Sequence, residues 1–106
     1  MAQEQKIQDK IIEYLERLDK ENEPIFWEKR QAGGFTYRIG LPDLYVVYYG
    51  RHIEIEIKAP DGKRSSAQIK WEMKCKKRLI KYGCVRTVEE VKEILESVKE
   101  EEYENK

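Results

Sequence analysis

The chain has 106 residues, which is enough for one domain with one modest core. Its 21 basic and 21 acidic residues cancel, so the net charge predicts no particular partner. The polar N-terminus and the absence of an apolar run of about 18 residues argue against a signal peptide and a membrane span. We therefore expect a cytoplasmic protein, in which Cys75 and Cys84 are reduced thiols and too few for a zinc site.

The first predicted element is an amphipathic helix from about residue 4 to residue 19. Its apolar positions recur at helical spacing: Ile7, Ile11, Tyr14, Leu15 and Leu18. Extending this stripe towards the N-terminus places Glu4 and Gln8 on the packed side of the helix. A glutamate in the first helical turn usually only complements the helix dipole, and this structural role is the simpler interpretation of Glu4.

A β-hairpin is predicted after a short extended stretch, Ile25 to Lys29, and a glycine-containing loop, Gln31 to Pro42. Its strands, Leu44 to Tyr49 and His52 to Lys58, are rich in aromatic and β-branched residues. Gly50-Arg51 separates them as a short turn. A turn centred there pairs Tyr49 with His52, Tyr45 with Glu56, and Asp43 with Lys58.

The two faces of this hairpin differ in chemistry because side chains alternate along a strand. One face carries apolar residues that can pack on a core: Leu44, Val46, Tyr48, Ile53, Ile55 and Ile57. The other face carries the charged residues Asp43, Glu54, Glu56 and Lys58. Two carboxylates and an amine gathered there could hold a divalent metal ion beside a phosphodiester.

A solvated strand face explains the same charges without any site, because antiparallel strands with one wet face normally alternate in this way. Two features favour a site. Tyr45, Val47 and Tyr49 share the charged face, and partly covered carboxylates need a partner such as a metal ion or Lys58. The stiff sequence Gly40-Leu41-Pro42 would also hold the carboxylate of Asp43 at the edge of the sheet.

The second half of the chain predicts a helix, a strand and a helix. After the turn Ala59-Pro60-Asp61-Gly62, a helix starts at Ser65 and runs to about Tyr82. Ser65-x-x-Gln68 matches a capping box, which accounts for Gln68 structurally, yet Gln68 also heads the stripe that faces the sheet. That stripe comprises Gln68, Trp71, Cys75, Leu79 and Tyr82. A strand is predicted from Val85 to Val88 and a helix from about Val88 to Glu101, capped by Thr87-x-x-Glu90.

The predicted order αβββαβα indicates a single α/β (α+β) domain built on a small mixed sheet flanked by helices. Charge is distributed unevenly along it. Residues 63–86 contain nine basic residues and one acidic residue, whereas residues 87–106 contain eight acidic and three basic ones. A basic centre is compatible with nucleic-acid binding, although a lysine-rich helix face is more often merely solvated.

With these elements in place, the chain resembles a stand-alone VRR-NUC domain of the PD-(D/E)xK nuclease superfamily. It is also similar, more distantly, to archaeal Holliday junction resolvases. The resemblance spans almost the whole chain and rests on an ordered set of motifs: Glu4-x-x-Ile7-Gln8, Gly40-Leu41-Pro42-Asp43-Leu44, Glu56-Ile57-Lys58-Ala59-Pro60, Gly62-Lys63, Ser65, Gln68, Trp71 and Tyr82-Gly83. The segment between Arg30 and Leu41 is shorter than in many relatives, which could alter substrate access.

The resemblance implies a restriction-endonuclease-like core and a Mg²⁺- or Mn²⁺-dependent endonuclease that cuts branched or structured DNA as a homodimer, in DNA repair or recombination. By resemblance, Glu4, Asp43, Glu56 and the carbonyl of Ile57 hold the metal. Lys58 positions or activates the attacking water, and Gln68 lies near the metal. Contacts to DNA are expected from Lys63, Arg64, Lys70 and Arg38.

Two other hypotheses stay open at this stage. The fold could present its basic residues as a DNA-binding module that does not cut, or the charged hairpin face could form a protein interface. His52, the only histidine, is expected to be structural or exposed, because nothing nearby completes a catalytic triad. Trp27 and Tyr37 could stack on bases, although packing is the simpler role.

Overall fold

The computed structural model describes residues 2–30 and 40–104. Its elements are α1 (Ala2–Lys20), β1 (Ile25–Lys29), β2 (Leu44–Tyr48), β3 (Arg51–Ile57), α2 (Ser66–Lys77), β4 (Lys81–Val85) and α3 (Val88–Glu104). The predicted αβββαβα order is confirmed. No helix in the described ranges is both long and apolar enough to cross a membrane.

The four strands form one mixed sheet in the order β1-β2-β3-β4. The first three strands are antiparallel, and β4 lies parallel to β3. Helices α1 and α3 pack together on one face of this sheet. The core between them contains Ile11, Leu15, Leu44, Val46, Tyr48, Ile53, Ile55, Ile57, Val85, Val91, Leu95 and Val98. All six hairpin residues predicted to face the core lie in it.

Helix α2 covers the opposite face of the sheet near β4. It contacts β4 directly, and Arg64, in the connection before it, forms ion pairs with both Glu56 of β3 and Glu72 of α2. The charged hairpin face is therefore partly covered, as the apolar residues on it predict. This covering explains why Glu54 and Glu56 are buried although they belong to the polar face.

The hairpin register differs from the predicted one by two residues. Tyr48 pairs with Arg51, and Tyr45 pairs with Glu54 instead of Glu56. The turn is Tyr49-Gly50, because both residues adopt positive φ angles of 51° and 76°, as a type I′ turn requires. Since the shift is even, the residues of the two strands keep their predicted faces. Tyr49 is the exception: it is predicted on the charged face, but it lies in the turn and packs against the core.

Helix α2 ends at Lys77, five residues before the predicted end at Tyr82. Leu79 takes a left-handed φ of 61°, and the N–H of Ile80 donates to the Cys75 carbonyl at 2.9 Å, as in a Schellman cap. Leu79 is 84% exposed, so the prediction that it continues the buried stripe is wrong. The last strand consequently starts at Lys81 and ends at Val85, earlier than the predicted range 85–88.

Candidate active site

Asp43 is held by backbone contacts at the entrance of β2. Its Oδ2 accepts a hydrogen bond of 2.6 Å from the Ile57 N–H, and its carbonyl accepts one of 2.8 Å from the Arg30 N–H. The Arg30 side chain also donates to the Pro42 carbonyl at 3.2 Å. Continuing the observed register by one residue places Asp43 beside Glu56, not beside Lys58 as predicted. The two carboxylates are therefore cross-strand neighbours.

Glu56 is completely buried on the polar face of the sheet, with 0% of its surface exposed. Arg64 forms a fork to its carboxylate, from Nη2 to Oε1 at 3.0 Å and from Nε to Oε2 at 3.1 Å. The Tyr82 hydroxyl donates to Oε1 at 2.6 Å, and Cys84 Sγ lies 3.5 Å from Oε2. A buried carboxylate is costly unless it is paired, and these contacts supply the pairing.

Lys58 lies just beyond β3, where the Lys58 N–H donates to the Val85 carbonyl at 2.9 Å. Its side chain lines a surface hollow of about 470 Å³ together with Glu4 of α1. The remaining lining residues are Gln3, Ala59, Asp61, Gly62 and Lys63. Helix α1 thus brings Glu4 to the same end of the sheet as Lys58.

The electrostatics of Asp43 tie these side chains together. Burial raises the pKa of Asp43, and the negative charges of Glu4 and Glu56 act in the same direction. The hydrogen bond from the Ile57 N–H and the positive charge of Lys58 oppose this rise in pKa. Arg64 already pairs with Glu56, so Asp43 and Glu4, with the ammonium of Lys58 nearby, are the carboxylates at this end of the sheet whose negative charge a cation would compensate.

Comparisons with known proteins bear on this arrangement. No family model matches the sequence. No curated protein matches it either. Among solved structures, a chain described as a VRR_NUC domain superposes with a TM-score of 0.69 at 23% sequence identity. The match covers 89% of this chain and 95% of that one.

The chain has the VRR_NUC fold. In this fold, Asp43, Glu56 and Lys58 lie at the end of the central β2–β3 pair that α1 approaches with Glu4. At this level of identity the likeness concerns the fold alone, so the roles of these residues stay predictions.

The donor atoms at this end of the VRR_NUC fold suit magnesium chemically. Mg²⁺ prefers oxygen ligands, commonly takes one or two carboxylates, and keeps several waters. Asp43 offers a carboxylate. The N–H and C=O of one strand residue point to the same side, so the bond from the Ile57 N–H to Asp43 puts the Ile57 carbonyl on the β2 side of β3 as well. Among residues 2–30 and 40–104, however, no three acidic, histidine or cysteine side chains converge closely enough to hold a metal ion as they stand.

The other predicted site residues have different positions. Gln68 completes the capping box of α2, because its Oε1 accepts from the Ser65 N–H at 2.8 Å while its own N–H donates to Ser65 Oγ. Lys63 lines the hollow, and Lys70 is exposed on α2. Arg64 is mostly covered and pairs with Glu56 and Glu72. Arg38 and Tyr37 lie outside the described residues, and Trp27 packs against the core.

Sequence reasoning missed the partners of the buried carboxylates. Glu54 accepts hydrogen bonds from Nη1 and Nη2 of Arg30, and His52 Nε2 lies 2.6 Å from its Oε2. Besides Arg64, the partners of Glu56 come from β4, whose polar-face residues Tyr82 and Cys84 follow the alternation of a strand. Placing β4 correctly would have revealed them, since Glu56 pairs in register with Cys84.

Proposed function

We propose that this chain is a metal-dependent endodeoxyribonuclease that acts on branched or structured DNA. The observation that supports it is the gathering of Asp43, Glu56, Lys58 and Glu4 at one end of the sheet in a VRR_NUC fold. Asp43, the Ile57 carbonyl and Glu56 would hold Mg²⁺ or Mn²⁺, with Glu4 as a further ligand and Gln68 as a catalytic residue near the metal. When bound, such an ion lowers the pKa of water and compensates charge on the phosphate.

The chain's own residues supply the rest of the proposed chemistry. Lys58 is anchored by its backbone while its side chain lines the hollow, where it can orient a water molecule and compensate charge on a phosphate. Asp43 is fixed by the Ile57 N–H, so little reorganisation is needed at this carboxylate. Lys63, Lys70, Arg38 and, once released from its ion pairs, Arg64 would contact the DNA backbone.

Cleavage assays on plasmid, flap and four-way-junction DNA test this function. Wild-type protein is expected to cut at least one substrate with Mg²⁺ or Mn²⁺ and to be inactive in EDTA. Lys58→Met keeps the aliphatic stem but removes the ammonium, and it is expected to cut about 100-fold more slowly or worse. Lys20→Met is the matched control, because Lys20 is an exposed lysine in the last turn of α1. Equal rates for the two variants would refute the role of Lys58.

A DNA-binding module that does not cut is the second candidate. It is favoured by one observation, namely that Glu56 is engaged by Arg64 and Tyr82 instead of facing an open site. Binding of branched DNA that is independent of metal, with no cleavage of any substrate in the panel, would support this function over the first. The affinity should then rise as the salt concentration falls.

We further propose a homodimer. A scaffold of 106 residues covers little DNA by itself, and a symmetric pair would present two sites to paired strands. One chain has a mass of 12.7 kDa. Light scattering at the concentrations used for cleavage should therefore give twice this mass. A mass of one chain under conditions where the protein cuts would contradict the dimer.

A further inference from the structure

Both oxygens of the Glu56 carboxylate already accept hydrogen bonds from the chain. An ionised carboxylate offers about four acceptor positions on its two oxygens. Arg64 Nη2 and the Tyr82 hydroxyl occupy Oε1 at 3.0 and 2.6 Å. Arg64 Nε and Cys84 Sγ occupy Oε2 at 3.1 and 3.5 Å. A metal ion that binds Glu56 must therefore compete with these donors, of which the Cys84 thiol is the weakest.

Two of the donors of Glu56, Tyr82 and Cys84, come from the side of β3 away from Asp43. Tyr82 and Cys84 belong to β4, and Arg64 precedes α2, whereas Asp43 precedes β2 on the other side of β3. Glu56 is therefore engaged away from the position where it would share a cation with Asp43.

Arg64 is the donor that a divalent cation would displace. A guanidinium and a divalent cation on one carboxylate repel each other, whereas the neutral Tyr82 hydroxyl does not oppose the ion. Arg64 can also leave Glu56 without losing every partner. Its side chain is 23% exposed, and its Nη1 contacts Glu72 of α2 at 2.6 Å. Tyr82, in contrast, is fixed within a strand.

We propose that Arg64 is a positioning residue that holds Glu56 in the metal-free protein, and that Arg64 and a divalent cation compete for this carboxylate. The inference rests on the proposed metal-dependent function. It assigns to Arg64 the role of an internal counter-ion that pairs with the buried Glu56 carboxylate when no metal is bound. Binding of a metal ion then requires the paired contacts between Arg64 and Glu56 to open. The guanidinium released in this way then becomes available to a DNA phosphate.

Calorimetric titration with Mn²⁺ after EDTA treatment tests the competition. Arg64→Met keeps the stem of the side chain and removes the fork, and it is expected to bind Mn²⁺ at least about tenfold more tightly than wild type. Its melting temperature in EDTA should be lower, because Glu56 loses its counter-ion. Lys76→Met is the matched control, since Lys76 shares the partner Glu72 at 2.8 Å but does not contact Glu56. It should leave the Mn²⁺ affinity unchanged.

Each outcome separates the inference from the proposed function. Equal or weaker Mn²⁺ binding by Arg64→Met, with normal binding by wild type, would overturn the competition and leave the nuclease function standing. Absence of Mn²⁺ binding by both proteins would overturn the metal-dependent function and the inference with it. Tighter binding by Lys76→Met to the same degree would mean that only net charge matters, and would also overturn the competition.

A measurement on the wild-type chain covers the case in which Arg64→Met does not fold without metal. The Nε–H signal of Arg64 can be followed by nitrogen-resolved NMR, and it is assigned by its loss in Arg64→Lys. Titration with Mg²⁺ is expected to move this signal to the position of a solvent-exposed arginine. A signal that stays in place while Mg²⁺ binds would show that the fork persists, which overturns the proposal.

Discussion

Asp43→Asn is expected to abolish DNA cleavage and, in EDTA, to raise the melting temperature of the protein. Loss of the carboxylate removes the charge proposed to hold the metal, which should cost at least about a thousandfold in rate. The gain in stability arises because Asp43 is partly buried and feels the negative charges of Glu4 and Glu56. An asparagine oxygen can still accept the Ile57 N–H that now bonds Oδ2.

The pH dependence of this effect has a definite sign. Burial, followed by the charges of Glu4 and Glu56, raises the pKa of Asp43 above its unfolded value of about 3.9. The stability contributed by this carboxyl is therefore complete below the unfolded pKa and is lost as the pH rises through the folded pKa. The stability of Asp43→Asn relative to wild type should therefore increase as the pH rises from about 3 to neutrality.

Thermal unfolding in EDTA across this pH range, run beside the cleavage assay, measures both effects. Asp19→Asn serves as the control, because Asp19 is an exposed residue near the end of α1, and it should cut at the wild-type rate. A melting temperature of Asp43→Asn below that of wild type at neutral pH, or retained cleavage, would contradict the expectation. Residues that are kept for activity often cost stability, so we expect Asp43→Asn to be stabilised but inactive.

Gly40→Ala is expected to destabilise the protein by about 3 kcal/mol, the sum of left-handed backbone strain and overpacking. Gly40 has a φ of +89°, and an added Cβ would lie 2.7 Å from the backbone carbonyl atoms of Ala67 in α2. Backbone cannot move aside as a flexible side-chain end can. The close approach of Gly40 to α2 also positions the segment that leads to Asp43, so the proposed cleavage of DNA should fall as well.

Gly50→Ala provides the matched control for this prediction. Gly50 also has a positive φ, +76°, but no atom lies within 4 Å of an added Cβ. Gly50→Ala should therefore lower the free energy of unfolding by only about 1 kcal/mol, the cost of the left-handed conformation. Urea unfolding of both variants measures the difference. Equal losses would show that the contact between Gly40 and Ala67 does not constrain the fold.

The sequence by itself determined the order of the elements and the faces of the hairpin. Alternation of side chains along a strand is local, so it survived the error of two residues in the register. Capping is local too, and the capping box at Ser65 and the bond from the Glu90 N–H to Thr87 Oγ1 both form as predicted. These features depend on residues three or four positions apart, which a sequence displays directly.

Only the tertiary structure decided the register, the end of α2 and the partners of Glu56. Tyr49 and Leu79 adopt left-handed backbone conformations without being glycine, so no sequence pattern marks them as turn and cap. The hydrogen-bond partners of Glu56 are 8 to 28 residues away along the chain. Such contacts form because the sheet and α2 bury the carboxylate together, and burial is what makes its pairing with Arg64 obligatory.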